Sequence, residues 1–123
     1  MAQNERRQQV RYPLRIDIEV STSRERVHVE TVDLSTDGIR VISPRPISPG
    51  TTITTQFPID PEAHFRGQVI WVLETARVGL PAYEIGIGMA SLGIGDRSAV
   101  GHAETLAMIQ TIIETHQARG GES

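Results

Sequence analysis

The stretch 27–42 constrains the fold of this chain more than any other. Two runs rich in β-branched residues flank the pair Asp37-Gly38, a pattern typical of a β-hairpin because glycine tolerates the positive φ angles of tight turns. Within this hairpin, Asp33, Ser35 and Gly38 follow the order Asp-x-Ser-x-x-Gly. Aspartate and serine are common turn residues whose side chains bond nearby amides, so the motif alone predicts no more than a turn.

The rest of the chain predicts further strands. Apolar and polar residues alternate along 14–20, 65–73 and 83–89, as in half-buried strands, and segment 51–57 is β-branched. Gly67 inside one of these runs suggests a bulge or a sharp bend, as in a small closing barrel. Six strands of similar length with short turns indicate a mainly β protein, a small antiparallel barrel or sandwich.

The C-terminal part breaks this pattern and predicts one helix. Apolar residues recur at three- and four-residue steps from Val100 to Ile113, with Asp96 as the expected N-cap and Gly120 as the expected stop. An amphipathic helix of about twenty residues should cover an edge or open end of the barrel.

The expected organisation is a single domain with two short flanks. Residues 1–11 are polar and without hydrophobic periodicity, which predicts a flexible N-terminal arm. Residues 12–118 are expected to form the barrel and its C-terminal helix, and residues 119–123 a disordered tail.

Composition excludes several classes of function. Cysteine is absent, which excludes disulfides, thiol nucleophiles and thiolate metal sites and suits the cytoplasm. No apolar run approaches roughly 18 residues and the N-terminus lacks the apolar core of a secretory signal, so we predict no membrane insertion. A net charge of −3 argues against bulk electrostatic binding to a nucleic acid polymer.

The sequence also disfavours catalysis. The four histidines are scattered, without the spacing of a metal site, and no Gly-x-Ser-x-Gly nucleophile elbow is present. Segment 88–93 has the glycine spacing of a phosphate loop, but Ile94 stands where lysine is required. We therefore predict no enzyme activity, no metal and no cofactor.

A group of arginines precedes the first strand. Its members are Arg6, Arg7 and Arg11. Arginine suits phosphates and the acceptor pair of guanine because its planar fork donates two parallel hydrogen bonds, and its flat face stacks on purines. An ionised Asp33 complements the donors of guanine's Watson–Crick edge, Ser35 can donate or accept beside it, and Gly38 permits close approach. By themselves the arginines are also consistent with a solvated arm.

Taken in order, Arg7-x-x-x-Arg11, a strand and Asp33-x-Ser35-x-x-Gly38 resemble the PilZ domain family, whose members are receptors for the bacterial second messenger cyclic di-GMP. Segments 65–71 and 83–89 look like later strands of that family, and the resemblance covers roughly residues 5 to 118. It implies a mainly β fold, a six-stranded antiparallel β-barrel of the split or Greek-key type with a C-terminal α-helix.

The resemblance implies specific roles for these residues. Arg7 and Arg11, with Arg6 as an extra basic neighbour, would grip the phosphates and the Hoogsteen edge of guanine. Asp33 and Ser35 would hold a guanine edge, and Gly38 would shape the turn. Trp71 is a further candidate because an aromatic lies beside the ligand in some relatives, although its alternation with Val69 and Leu73 is more typical of a core position.

The implied protein is a cytoplasmic receptor and adaptor that orders its arm on binding cyclic di-GMP and signals through a protein partner. We expect a monomer. One alternative is a PilZ-fold interaction module that does not bind the nucleotide. Another is a small barrel for single-stranded nucleic acid, which the acidic charge and only five aromatic residues disfavour.

Overall fold

The computed structural model describes residues 10–59, 62–77 and 79–120. Its strands and helix are β1 (Tyr12–Pro13), β2 (Asp17–Ser21), β3 (Arg26–Ser35), β4 (Gly38–Ser43), β5 (Thr52–Phe57), β6 (Ala63–Arg77), β7 (Leu80–Ile94), β8 (Arg97–Ser98) and α1 (Gly101–Gly120).

Six of the strands close into an antiparallel barrel. Neighbours follow the order β3, β2, β5, β6, β7 and β4, and β4 pairs back with β3 to complete the ring. The short strands β1 and β8 extend the ladder by pairing with β3 and β7. This arrangement confirms the predicted mainly β fold, a six-stranded antiparallel barrel with a C-terminal helix.

The apolar residues of the alternating pattern fill the interior of the barrel. On β2 the inward residues Ile18 and Val20 are buried, and on β3 Val27, Val29 and Thr31 are buried on one face. One continuous core results, and its fully buried side chains include Leu34, Ile39, Val41, Ile53, Phe57, Phe65, Ile85 and Leu92. Burial of apolar surface on this scale is the main force that stabilises the fold.

Between β1 and β2 the chain bends, and Thr31 fixes it to β3. The Thr31 hydroxyl accepts a hydrogen bond from the Ile16 backbone N–H at 2.9 Å and donates one to the Leu14 carbonyl. These bonds satisfy backbone groups that the bend removes from the ladder. The segment that follows the N-terminal arm is therefore anchored to the barrel.

The ladder between β6 and β7 contains two bulges, and the second changes the alternation of β6. The first lies at Gly67, where a bulge or bend was predicted, but its extra residue is Ala90 on β7; an added Cβ at Gly67 would run into the facing backbone of β7. The second follows Val69 and changes the face of the residues after it. Val72 packs against the core, whereas Leu73 is 60% exposed and Trp71 is half-buried. The prediction that Trp71 and Leu73 share the core face is therefore wrong.

The helix α1 begins later than predicted. Asp96 lies in the turn between β7 and β8, so it is not the N-cap, and Val100 is 79% exposed rather than part of the apolar face. The Glu104 carboxylate accepts a hydrogen bond from the Val100 backbone N–H at 2.6 Å, which supports the start of the helix.

The apolar face of α1 covers the barrel, as predicted. Met108, Ile109, Ile112 and Ile113 are buried, and the helix contacts β7 and β3. Within the part of the chain that the structure describes, no helix combines the length and apolar character needed to cross a membrane.

Candidate functional site

The β3–β4 hairpin is held by a two-residue loop, Thr36-Asp37. Ser35 pairs with Gly38, and the buried Ser35 hydroxyl accepts a hydrogen bond from the Asp37 backbone N–H at 3.2 Å. A Cβ at Gly38 would lie 1.9 Å from the Ile87 carbonyl oxygen, so only glycine lets β4 approach β7 this closely. Ser35 and Gly38 thus fix the register of the hairpin.

That register places Asp33 opposite Arg40. Asp33 is 6% exposed, and its Oδ2 accepts hydrogen bonds from Arg40 Nε at 3.0 Å and from Arg40 Nη2. The hydrogen bonds to Asp33 raise the pKa of the Arg40 guanidinium above its ordinary value, although burial acts in the opposite direction. A nearly buried carboxylate requires such compensation.

The network extends to the base of the N-terminal arm and to β7. Arg11 Nη1 lies 3.2 Å from Asp33 Oδ1, and Arg40 Nη1 donates to Glu84 Oε2 at 2.9 Å. The two oxygens of Asp33 are therefore divided between two arginines. Arg11 keeps 47% of its side chain exposed and Arg40 keeps 34%, so Arg11 is held less firmly.

Next to this network lies a concave surface of about 330 Å³ with a floor of glycines. Gly38 pairs with Gly88 and Arg40 with Gly86, so β4 and β7 present bare backbone there. The Trp71 indole lies over Gly86, where an added Cβ would be 2.3 Å from indole Cε2. The bulge after Val69 turns Trp71 to this surface.

The structure brings most of the predicted site residues together. Arg11, Gly38 and Trp71 border the concave surface, and Asp33 holds Arg11 from below. The Ser35 hydroxyl is instead enclosed in the turn. Arg6 and Arg7, the other predicted contacts, lie outside the described residues.

Sequence reasoning missed Arg40 and Glu84. A signal for Arg40 was available, because a two-residue loop after Ser35 pairs Asp33 with the seventh residue beyond it. No comparable signal identifies Glu84, since β7 is 44 residues farther along the chain.

This surface can recognise an anion with a flat ring. The half-exposed Arg11 guanidinium can donate to phosphate, Arg40 stays bound to Asp33 and Glu84 and adds positive charge, and the half-buried Trp71 indole can stack on a base. Residues 10–59, 62–77 and 79–120 hold no cluster of three or more histidine, aspartate or glutamate side chains that could bind a metal ion.

Fold and site define the class as a small closed β-barrel with a cationic and aromatic surface beside one hairpin. The chain belongs to the PilZ domain family: the family model described as "PilZ domain" matches residues 5–100. Domains of this family are known as receptors for cyclic di-GMP and act as binding and adaptor modules.

Solved structures support the fold. The PilZ domain of CeSA from a cellulose-synthesizing bacterium is 20% identical with a TM-score of 0.52, over 84% of this chain and 97% of that one. The Bacillus subtilis inhibitor of motility (MotI/DgrA) is 14% identical with a TM-score of 0.55, over 87% of this chain and 49% of that one. No curated protein matches the chain.

Proposed function

We propose that this chain is a cytoplasmic receptor for cyclic di-GMP and an adaptor that signals through a protein partner. The observation that supports the proposal is that Arg11 and the Trp71 indole border one glycine-floored surface, with the Asp33 carboxylate paired to Arg11 next to it. Cyclic di-GMP carries two guanines and two phosphodiesters, and these groups require cationic donors, a carboxylate acceptor and a stacking face. Family membership points to the same ligand.

Binding exchanges partners at Asp33. Arg11 leaves Oδ1 and donates to a phosphate, which costs little because a half-exposed ion pair contributes about 0–1 kcal/mol. Arg40 still holds Oδ2, so the carboxylate never becomes an unpaired buried charge. The vacated Oδ1 then accepts hydrogen bonds from the Watson–Crick edge of guanine. Ser35 contributes indirectly, by holding the turn that positions Asp33.

The arginines of the predicted arm complete the site. Arg6 and Arg7 close over the ligand and contact its phosphates and the Hoogsteen edge of a guanine. Ordering the arm costs several kcal/mol, on the order of 0.5–1.5 for each immobilised long side chain, and the charge-assisted bonds offset that cost. The closed arm presents a new surface to the partner.

Isothermal titration calorimetry with cyclic di-GMP tests the proposal. We expect binding by the wild type and losses of at least about tenfold for Arg7→Ala, Arg11→Ala and Asp33→Asn, since charge-assisted hydrogen bonds contribute about 1.5–3 kcal/mol each. The matched control is Arg24→Ala, which removes an exposed guanidinium in the turn between β2 and β3 and should bind as the wild type does.

Two results would overturn the proposal. A folded wild type that does not bind the nucleotide would leave the alternative of a PilZ-fold interaction module. Equal affinity for the wild type and all three site variants would place the nucleotide elsewhere on the molecule.

A further inference from the structure

A second, larger concave surface lies on the outer face of the barrel. It has a volume of about 680 Å³ and spans β2, β5, β6 and β7, with the β7–β8 turn at one side. Its side chains come from the outward positions of these strands, including the exposed residues Thr54, Gln56, His64 and Arg66. The nucleotide mechanism proposed above uses none of them.

Strand register aligns part of this surface into one transverse row. Neighbouring members pair directly, and the row reads Arg26, Ser21, Thr54, Arg66 and Ser91 on β3, β2, β5, β6 and β7. Because the six strands close into a ring, this row curves around the barrel, and Arg26 and Arg66 stand three strands apart along it. The hydroxyl residues Ser21 and Thr54 occupy the two positions between these arginines.

The charge of this surface is opposite to that of the whole chain. Arg26, Arg66 and Arg97 line it, whereas Glu19 is its carboxylate. Glu19 is shared between Arg26, at 4.0 Å, and His28, at 3.4 Å. Within the described ranges, Arg66 and Arg97 form no side-chain ion pair or hydrogen bond, although Asp96 precedes Arg97 in the turn. A protein of net charge −3 thus carries a local cationic patch.

We propose that this surface binds an acidic, extended segment of a partner protein. The guanidiniums of Arg26 and Arg66 complement the carboxylates of such a segment, and Arg66 is exposed. Arg97 lies beside the row and adds a third donor. The hydroxyls of Ser21, Thr54 and Ser91 supply hydrogen bonds to the peptide backbone between the acidic residues.

The surface fits nucleic acid less well. The phenyl ring in its lining, Phe65, is 2% exposed and packs in the core, so it is not available to stack on a base. His64 is the exposed ring of this lining, and the exposed hydroxyls and guanidiniums around it favour carboxylates displayed on a flexible chain. An adaptor requires a protein partner, and this is the one respect in which the acidic segment proposed here rests on the proposed function.

Fluorescence anisotropy on the full chain, without nucleotide, tests the proposal. The probe is a labelled peptide of serines and threonines interspersed with aspartates. We expect it to bind the wild type, with affinity about three- to fivefold weaker for Arg66→Ala or Arg97→Ala and lost in the double variant Arg66→Glu/Arg97→Glu. Arg15→Ala, which removes an exposed guanidinium elsewhere on the barrel, should bind as the wild type does.

Three outcomes would overturn the proposal. They are no binding by the wild type, equal binding of a peptide in which asparagine replaces every aspartate, and tighter binding of a single-stranded oligonucleotide through the same arginines. Because no nucleotide is present and no nucleotide-site residue is changed, failure here leaves the cyclic di-GMP titration intact. Failure of that titration likewise leaves the peptide result intact.

Discussion

The two concave surfaces of this barrel differ in how firmly their residues are held in place. The surface beside the β3–β4 hairpin has a floor of paired glycines and an almost buried carboxylate held by two arginines. The surface across β2, β5, β6 and β7 consists of exposed side chains placed only by strand register. The first is preorganised and suits a rigid, compact ligand, whereas the second can adapt to a flexible chain.

Among the variants that test this contrast, Gly38→Ala should lose the most stability. The new Cβ would lie 1.9 Å from the Ile87 carbonyl oxygen, so β4 and β7 must separate. We expect a loss of about 4 kcal/mol in the free energy of unfolding, at the upper end for one substitution, measured by urea denaturation.

The matched control for Gly38→Ala is Gly50→Ala. Gly50 has a φ of 93° but nothing within 4 Å of an added Cβ, so only backbone strain of about 1–2 kcal/mol is expected. Equal losses in the two variants would show that close strand approach does not define the floor of the site.

Arg40→Ala should have an intermediate effect. It removes the partner that holds Asp33 Oδ2 and leaves a carboxylate of 6% exposure with Arg11 alone. Because Arg40 itself is partly exposed, we expect a loss of about 2 kcal/mol, below that for a fully buried ion pair. Urea denaturation measures it, and Arg15→Ala, at a surface ion pair, should cost less than about 0.5 kcal/mol. If Arg40→Ala and Arg15→Ala lost similar amounts of stability, the hydrogen bonds between Arg40 and Asp33 would not be what holds the site rigid.

Arg66→Ala should have the smallest effect on stability. Its side chain is exposed and forms no ion pair or hydrogen bond within the described ranges, so the free energy of unfolding should change by less than about 0.5 kcal/mol. A loss of more than about 1 kcal/mol would show that the second surface is also structurally fixed and would remove the contrast.

Much of the fold could be predicted because the inward residues of β2 and β3 alternate with polar ones, and a period of two specifies a strand face directly. The hairpin was equally predictable from Asp37-Gly38. The failures have a common cause in local insertions. One extra residue after Val69 reverses the faces of Trp71 and Leu73, and a short hairpin ending at Ser98 delays the helix.

The candidate site was predictable only in part. Proximity of Arg11 to Asp33 follows from the order of the motifs and the resemblance they carry. Glu84 joins the site through pairing between strands distant in the sequence, which residue spacing does not encode. Trp71 faces the concave surface beside the hairpin because of a bulge, and alternation alone argued for the opposite side.

The two-residue strand β1 determines how far the N-terminal arm can reach. Pro13 pairs with Asp33, so β1 lies beside the carboxylate to which the proposed mechanism brings the arm. Four residues of chain span at most about 14 Å, which limits the Cα of Arg7 to that radius around the Cα of Arg11. In the proposed complex, a ligand whose phosphates lie beyond this radius would be held at one end only, so the length of this segment would set an upper limit on ligand size.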